Sequence, residues 1–252
     1  MQAKDADELT DAPFVFATEG GRNLTQSIVH DLGAQVVTGV FTPANPFPAE
    51  SELCRRYGVS RPVLREAVKM LTAKGLLASR PRQGTSVQTE ARWNLLDPDV
   101  LGWLLERKFD NSLLIEFTQL RLAIEPEAAA LAATAASPRE KVALRKAIAR
   151  MEAAEQGEDD PLLSDIAFHV AILEASGNRF FAQLNEFVET ALRFSIRRTN
   201  LTKGVRLASV ADHRRVAEAI LAGDAAQSRA LHRDLIQGAL DLLIDNNRVA
   251  ND

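Results

Sequence analysis

One cysteine, Cys54, stands in 252 residues, which excludes an internal disulfide and suits a reducing cytosol. Aromatics amount to 6% with a single tyrosine, while alanine is abundant, a balance that disfavours sheets and favours helices. No apolar run approaches the 18 residues of a membrane span, and the opening MQAKDADELTDAP lacks the basic-then-apolar order of a signal peptide. The expectation is a cytoplasmic chain with no membrane partner. HExxH, a nucleophile elbow and a Walker loop are absent too, so the common metalloprotease, hydrolase and nucleotide signatures find no residues here. There is no internal repeat and no low-complexity segment beyond the alanine richness.

What is present is an asymmetry of charge. The net charge is −4, yet residues 21–89 carry nine Lys/Arg against four acids, or +5. Residues 1–20 hold one lysine against five acids, and residues 90–252 hold 20 basic against 25 acidic residues. A basic block of about 70 residues attached to a larger acidic block suggests one module that meets a polyanion and one that does not.

Residues 1–20 read as a disordered tail. Helical periodicity begins near Leu24, with Leu24, Ile28, Leu32, Val36 and Val37 on one face, and ends around Gly39. FTPANPFPAE holds three prolines and reads as an extended turn. Ala49 to Tyr57 forms a short helix stopped by Gly58. Ser60 stands at the N-cap of the next, with Pro62 in its first turn and Gly75 past its end. Leu64, Ala67, Val68 and Leu71 make its buried stripe. LLASRPRQGTSVQ then reads as a hairpin. Three helices and a hairpin, with two short helices joined at a glycine, form the pattern of a winged helix-turn-helix over residues 21–90.

If that stripe is buried, Arg61, Arg65 and Lys69 face outward, each about one turn from the next. A helix fits the major groove, and arginine can donate two parallel hydrogen bonds to guanine O6 and N7. Arg61 and Arg65 are the candidate base readers, and Lys69, further along, a phosphate contact.

The stretch FPAESELCRRYGVSRPVLREAVKMLTAKGLLASRPRQGTSV resembles the DNA-binding domain of the GntR superfamily of bacterial transcription regulators, and the likeness extends over residues 22–88. The resemblance implies DNA contacts from Ser51 on the short helix, from Ser60, Arg61 and Arg65, and from a wing tip at Arg82, Gln83 and Gly84. Ser51 departs from the arginine of the fatty-acid-responsive member.

Beyond residue 90 only helical periodicity is visible, broken at residues 138–139, 157–161, 176–178 and 202–204. It predicts six or seven helices: a junction over 91–110, beginning with WNLLDPDVLGWLLE, then an all-α domain over 111–252. Overall the expected fold is mainly α, a winged head followed by an all-α bundle. Asp165 and His169 are four residues apart and face the same way on one helix; His213 and His232 fall on others. A carboxylate with imidazoles from separate helices can hold a divalent transition metal inside a bundle, although Asp/His pairs at this spacing also occur as plain surface hydrogen bonds.

RLAIEPEAAALAA, SDIAFHVAILEASGN and DHRRVAEAILAGDAAQSRAL are similar, in the same order, to the FCD ligand-binding domain of the FadR subgroup, over about residues 113–245. That likeness implies a metal, zinc first with nickel and manganese as alternatives, on Asp165, His169 and His213. It also implies an arginine, Arg121, which with the metal grips a small organic acid. The family's last histidine falls about 22 residues after the position of His213, whereas His232 follows it by 19, a displacement of about 4.5 Å along a helix. His232, Asp234 or a water could complete the set.

WNLLDPDVLGWLLE and FPAESELC also resemble the galactonate-responsive branch, which implies an aldonate or uronate effector. Asn178, Arg193 and Arg197 are the candidates for its pocket wall. The reading is a homodimeric regulator, a repressor that binds palindromic operator DNA and is not itself an enzyme. A metal-dependent small-molecule enzyme with a DNA-binding head, and an interaction domain stiffened by its Asp/His cluster, are the alternatives.

Overall fold

The periodicity near Leu24 becomes α1 (Leu24–Val37), opened by a reciprocal capping box in which the Asn23 side chain accepts the Gln26 N–H at 2.9 Å. Ile28, Leu32, Val36 and Val37 are buried as expected, but Leu24 in the first turn is 45% exposed. The computed structural model describes residues 23–80, 84–107, 111–203 and 208–249, the side chains at 107, 197–203, 246, 248 and 249 excepted. The tail at 1–20 therefore lies outside the described residues.

After the proline-rich turn come α2 (Glu50–Tyr57) and α3 (Arg61–Ala73). Between them Gly58 takes a left-handed conformation, φ 63 and ψ 32, which a side chain would strain. Leu64, Ala67 and Leu71 of α3 are buried against α1 and Val68 is half-buried beside them; Cys54 packs half-buried on the same core. The wing is an antiparallel hairpin of β1 (Leu77–Arg80) and β2 (Gly84–Val87), running in register from Leu77 opposite Val87 to Arg80 opposite Gly84.

The segment read as a junction has a different place. Its helix, α4 (Pro98–Arg107), packs on α1, and Trp93, Val100 and Trp103 join the core of the head. The Trp103 ring lies so close to α1 that a methyl group on Gly33 would stand 2.3 Å from it. The ring nitrogen donates to His30 Nδ1 at 2.9 Å, so His30 anchors this helix. The chain divides into two compact units between Lys108 and Phe109.

The second unit is all helix among its described residues. It comprises α5 (Asn111–Ala135), α6 (Pro138–Glu155), α7 (Pro161–Ala175), α8 (Arg179–Ala182), α9 (Asn185–Lys203), α10 (Val210–Ala222) and α11 (Ala225–Val249). Side chains of Ser137, Asp160 and Ser209 cap α6, α7 and α10. The two longest helices, α5 and α11, pack along one another, and α7 and α10 close on α5. Ala128, Ala129, Ala132 and Ala133 give α5 a face of small buried residues, which lets neighbouring backbones approach. Among the described residues no helix is long and apolar enough to cross a membrane.

Candidate nucleic-acid interface and metal centre

The outward face of α3 is as the stripe requires. Arg61 and Arg65 keep about two thirds of their side-chain surface exposed, and Lys69 three quarters. Both arginines lean on Glu50 at the start of α2: Arg65 Nε donates to its carboxylate at 2.9 Å, and Arg61 Nε stands 3.7 Å away. Arg65's hydrogen bond holds the Glu50 carboxyl below its ordinary range. Such solvent-screened pairs are weak, so they pre-orient the guanidinium without competing seriously with a base edge. Among the described residues Lys69 pairs with Glu66, at 3.4 Å. A cleft of about 590 Å³ separates α3 from the hairpin, with Arg65, Lys69, Arg80, Gly84 and Thr85 on its walls. Ser51 is exposed; Ser60 occupies the N-cap of α3, but its side chain makes no capping bond. Arg82 and Gln83 lie outside the described residues.

In the second unit Asp165, His169, His213 and His232 are all buried. Asp165 and His169 come from α7 and His213 from α10. Asp165 Oδ1 lies 3.4 Å from His169 Nε2 and 3.2 Å from His213 Nε2. Despite those separations, neither Asp165 Oδ1 nor His213 Nε2 has a hydrogen-bond partner. One ligand atom from each of Asp165, His169 and His213 lies within 4.8 Å of the others. Four ligands placed tetrahedrally at about 2.0–2.2 Å from a metal stand roughly 3.3–3.6 Å apart, close to the two separations from Asp165. His213 Nδ1 faces the Ser209 carbonyl at 2.7 Å, which makes it the protonated nitrogen and leaves a lone pair on Nε2. Burial alone would favour a neutral Asp165; when His169 and His213 present a proton to it, they hold its carboxyl below the usual carboxylate range. Phe168 wedges against three of the rings, its centroid 4.9 Å from that of His213.

His232 lies against the same His169, its Nε2 3.4 Å from His169 Nδ1. It gathers with Glu125 and His169 in a second buried group, its Nε2 at 3.3 Å from Glu125 Oε2, and burial lowers its pKa to about 4. Asp234 is exposed and belongs to neither group. The second group depends on Glu125, which sequence reasoning passed over. The only signal was its place four residues after Arg121 on an alanine-rich helix.

Residues 24–87 match the profile of the bacterial regulatory proteins of the gntR family, and residues 116–238 that of the FCD domain. The chain is 33% identical over 212 residues to the galactonate operon transcriptional repressor of Escherichia coli K12, covering 83% of this chain and 93% of that protein. It belongs to the GntR family. The uncharacterized HTH-type transcriptional regulator YieP of Escherichia coli K12 is 35% identical over 161 residues, 63% of this chain and 70% of its own length. Lar, which controls the expression of the Listeria monocytogenes agr system and mediates virulence, shares the fold. Its TM-score is 0.59 at 17% identity, over 90% of this chain and 99% of that one. GntR-family members bind operator DNA, and the relatives are named as regulators, so a reading as an enzyme with a DNA-binding head loses its support.

Within the FCD domain of this GntR regulator, the described residues expected around an acid are each engaged with neighbours of their own chain segment. Asn178 caps α8 by accepting the Phe180 N–H at 3.0 Å, and Arg193 is held by Glu189 on its own helix. The Arg197 side chain lies outside the described residues. Arg121 is buried, and its Nε meets Glu125 Oε1 at 2.5 Å. Its Nη2 stands 3.1 and 3.2 Å from the two ring nitrogens of His169, a position over the ring face and not in line with either lone pair. Burial favours a neutral Glu125, but Arg121 and His169 hold its pKa well below the ordinary value. Burial likewise opposes a charged His169, and the carboxylates of Glu125 and Asp165 outweigh it and raise its pKa.

Proposed function

We propose that this GntR-family regulator represses an operon for the breakdown of a sugar acid, an aldonate or a uronate. Its release from DNA would be set by a divalent transition metal, zinc foremost, and by that acid. Asp165, His169 and His213 would hold the metal, which supplies a Lewis-acidic position for a carboxylate when bound. The observation that carries the reading is the buried carboxylate of Asp165. It has no cationic side chain on it among the described residues except imidazoles, and its unpartnered oxygen lies 3.4 and 3.2 Å from two histidine nitrogens. A buried anion left in that state is costly unless a cation joins it. The name of the Escherichia coli relative, a galactonate operon repressor, supports the acid class.

Acting as a homodimer, two heads would read the two halves of a palindromic operator. Arg61 and Arg65 would contact base edges, and Lys69 and the wing the backbone. The test is an operator selected from random duplexes, bound to purified protein and titrated with galactonate and other aldonates and uronates. Metal-loaded protein should let go, whereas chelator-treated protein and His213→Ala should hold DNA and ignore the acid. Release that persists in both would remove the metal from the reading, and turnover of the acid would remove the pure regulator.

A further inference from the structure

The place beside Arg121 where an acid would be gripped is already filled, and by a carboxylate of the chain itself. Glu125 is 1% exposed. One of its oxygens, Oε1, takes the Arg121 Nε–H at 2.5 Å. The other, Oε2, faces Arg121 Nη2 at 3.5 Å, His169 Nδ1 at 2.6 Å and His232 Nε2 at 3.3 Å. The cavity alongside, with Phe117, Ile124, Leu184 and Phe187 on its walls, measures about 10 Å³. That is about the space one water needs, and it cannot take a carboxylate in addition to Glu125.

We propose that Glu125 is a tethered stand-in for the effector, and that a free carboxylate reaches Arg121 only by displacing Glu125 Oε1. This deepens the acid-effector reading above and rests on it for the identity of the displacing ligand. Two features make the exchange feasible. Arg121 and Glu125 are four residues apart on α5, so a side-chain rotation separates them without moving the helix. Glu125 has a second home, because Oε2 already faces the ring nitrogens of His169 and His232, which can retain the carboxylate after Oε1 lets go. An incoming acid thus replaces one carboxylate on Arg121 by another, and no buried guanidinium is left unpaired at the end. The arrangement sets a threshold: the acid competes against a neighbour of high effective concentration, so weak or singly anchored anions are turned away.

The test uses acetate, the smallest convenient carboxylate, and the full chain. Glu125→Ala removes the stand-in and leaves Arg121 waiting. Acetate should then raise the melting temperature of Glu125→Ala by roughly 3–6 °C for each tenfold excess over its dissociation constant, and leave the wild type unmoved against chloride at equal ionic strength. If Glu125→Ala does not fold, Glu125→Gln serves, since its neutral amide keeps the shape and gives up the charge; it should bind galactonate at least tenfold more tightly than wild type. An equal response of wild type and variant to acetate, or no response from a folded variant together with unchanged or weakened galactonate binding by Glu125→Gln, overturns the proposal. Running the acetate series on chelator-treated as well as metal-loaded protein separates the outcomes. Rescue without metal sustains the stand-in even if the metal reading fails, and loss of rescue in both forms sinks the stand-in alone.

Discussion

Arg65 shows how a single side chain can be set for its task before any ligand arrives. Its Nε is occupied by Glu50, which restricts the long side chain, while the opposite edge of the guanidinium stays available for a bidentate contact. Among the described residues Lys69 has no such brace from another helix. Arg65→Ala should therefore weaken binding to the selected operator by about 1–3 kcal/mol and relax preference at one base pair, whereas Lys69→Ala should lower affinity for all duplexes alike. Competition binding against random DNA decides between them: an equal loss for Arg65→Ala on both would end its base-reading role. Arg61 and Arg65 were legible from spacing because a buried stripe on one helix dictates what faces outward. Glu125 was not. Glu125 and Glu127 flank Pro126 on the same helix, and only packing decides that Glu125 turns inward to His169 while Glu127 pairs with Arg229 on α11.

The helices themselves follow from short-range signals, and most ends fall where caps and breakers stand: Ser137 before Pro138, Asp160 before Pro161, Gly223 after α10. The exception is instructive. WNLLDPDVLGWLLE carries the right pattern for a helix, but periodicity does not say which core accepts its apolar face. Trp103 settles on α1, over the one position, Gly33, with no side chain to obstruct it. Gly33→Ala should destabilise the head by about 1–3 kcal/mol through overpacking, since the methyl group would overlap ring carbons. Gly238→Ala, on α11 with nothing within 4 Å of the added methyl, should gain about 0.5–1 kcal/mol from helix propensity. Urea unfolding of the two variants should give midpoint shifts of opposite sign; a neutral Gly33→Ala would show that α1 and α4 are less tightly apposed.

Across the full chain, the charge partition and the division into two units have a common sense. The basic block from 21 to 89 lies within the unit that carries the α3 arginines and the wing, and the buried Asp/His/Glu cluster lies within the other. If acid and operator bind to separate units and oppose each other, linkage demands that each weaken the other by the same factor. Measuring galactonate affinity with and without operator, and operator affinity with and without galactonate, should return equal ratios. Unequal ratios would mean that the two measurements follow different states.

Local order was readable along the chain: helix starts and stops, the alternation that makes the wing, the four-residue spacing that puts Asp165 and His169 on one face, the outward arginines. Each depends on residues a few positions apart, whose geometry a helix or hairpin dictates by itself. The imidazole partners of Glu125 lie on other helices, His169 44 residues away and His232 beyond it, and the anchor of Trp103 lies 73 residues back at His30. No periodicity spans such separations. Which charges meet in the interior was decided by how α5, α7 and α11 pack, because burial requires each ionised group to find a partner and only the assembled bundle determines which are within reach.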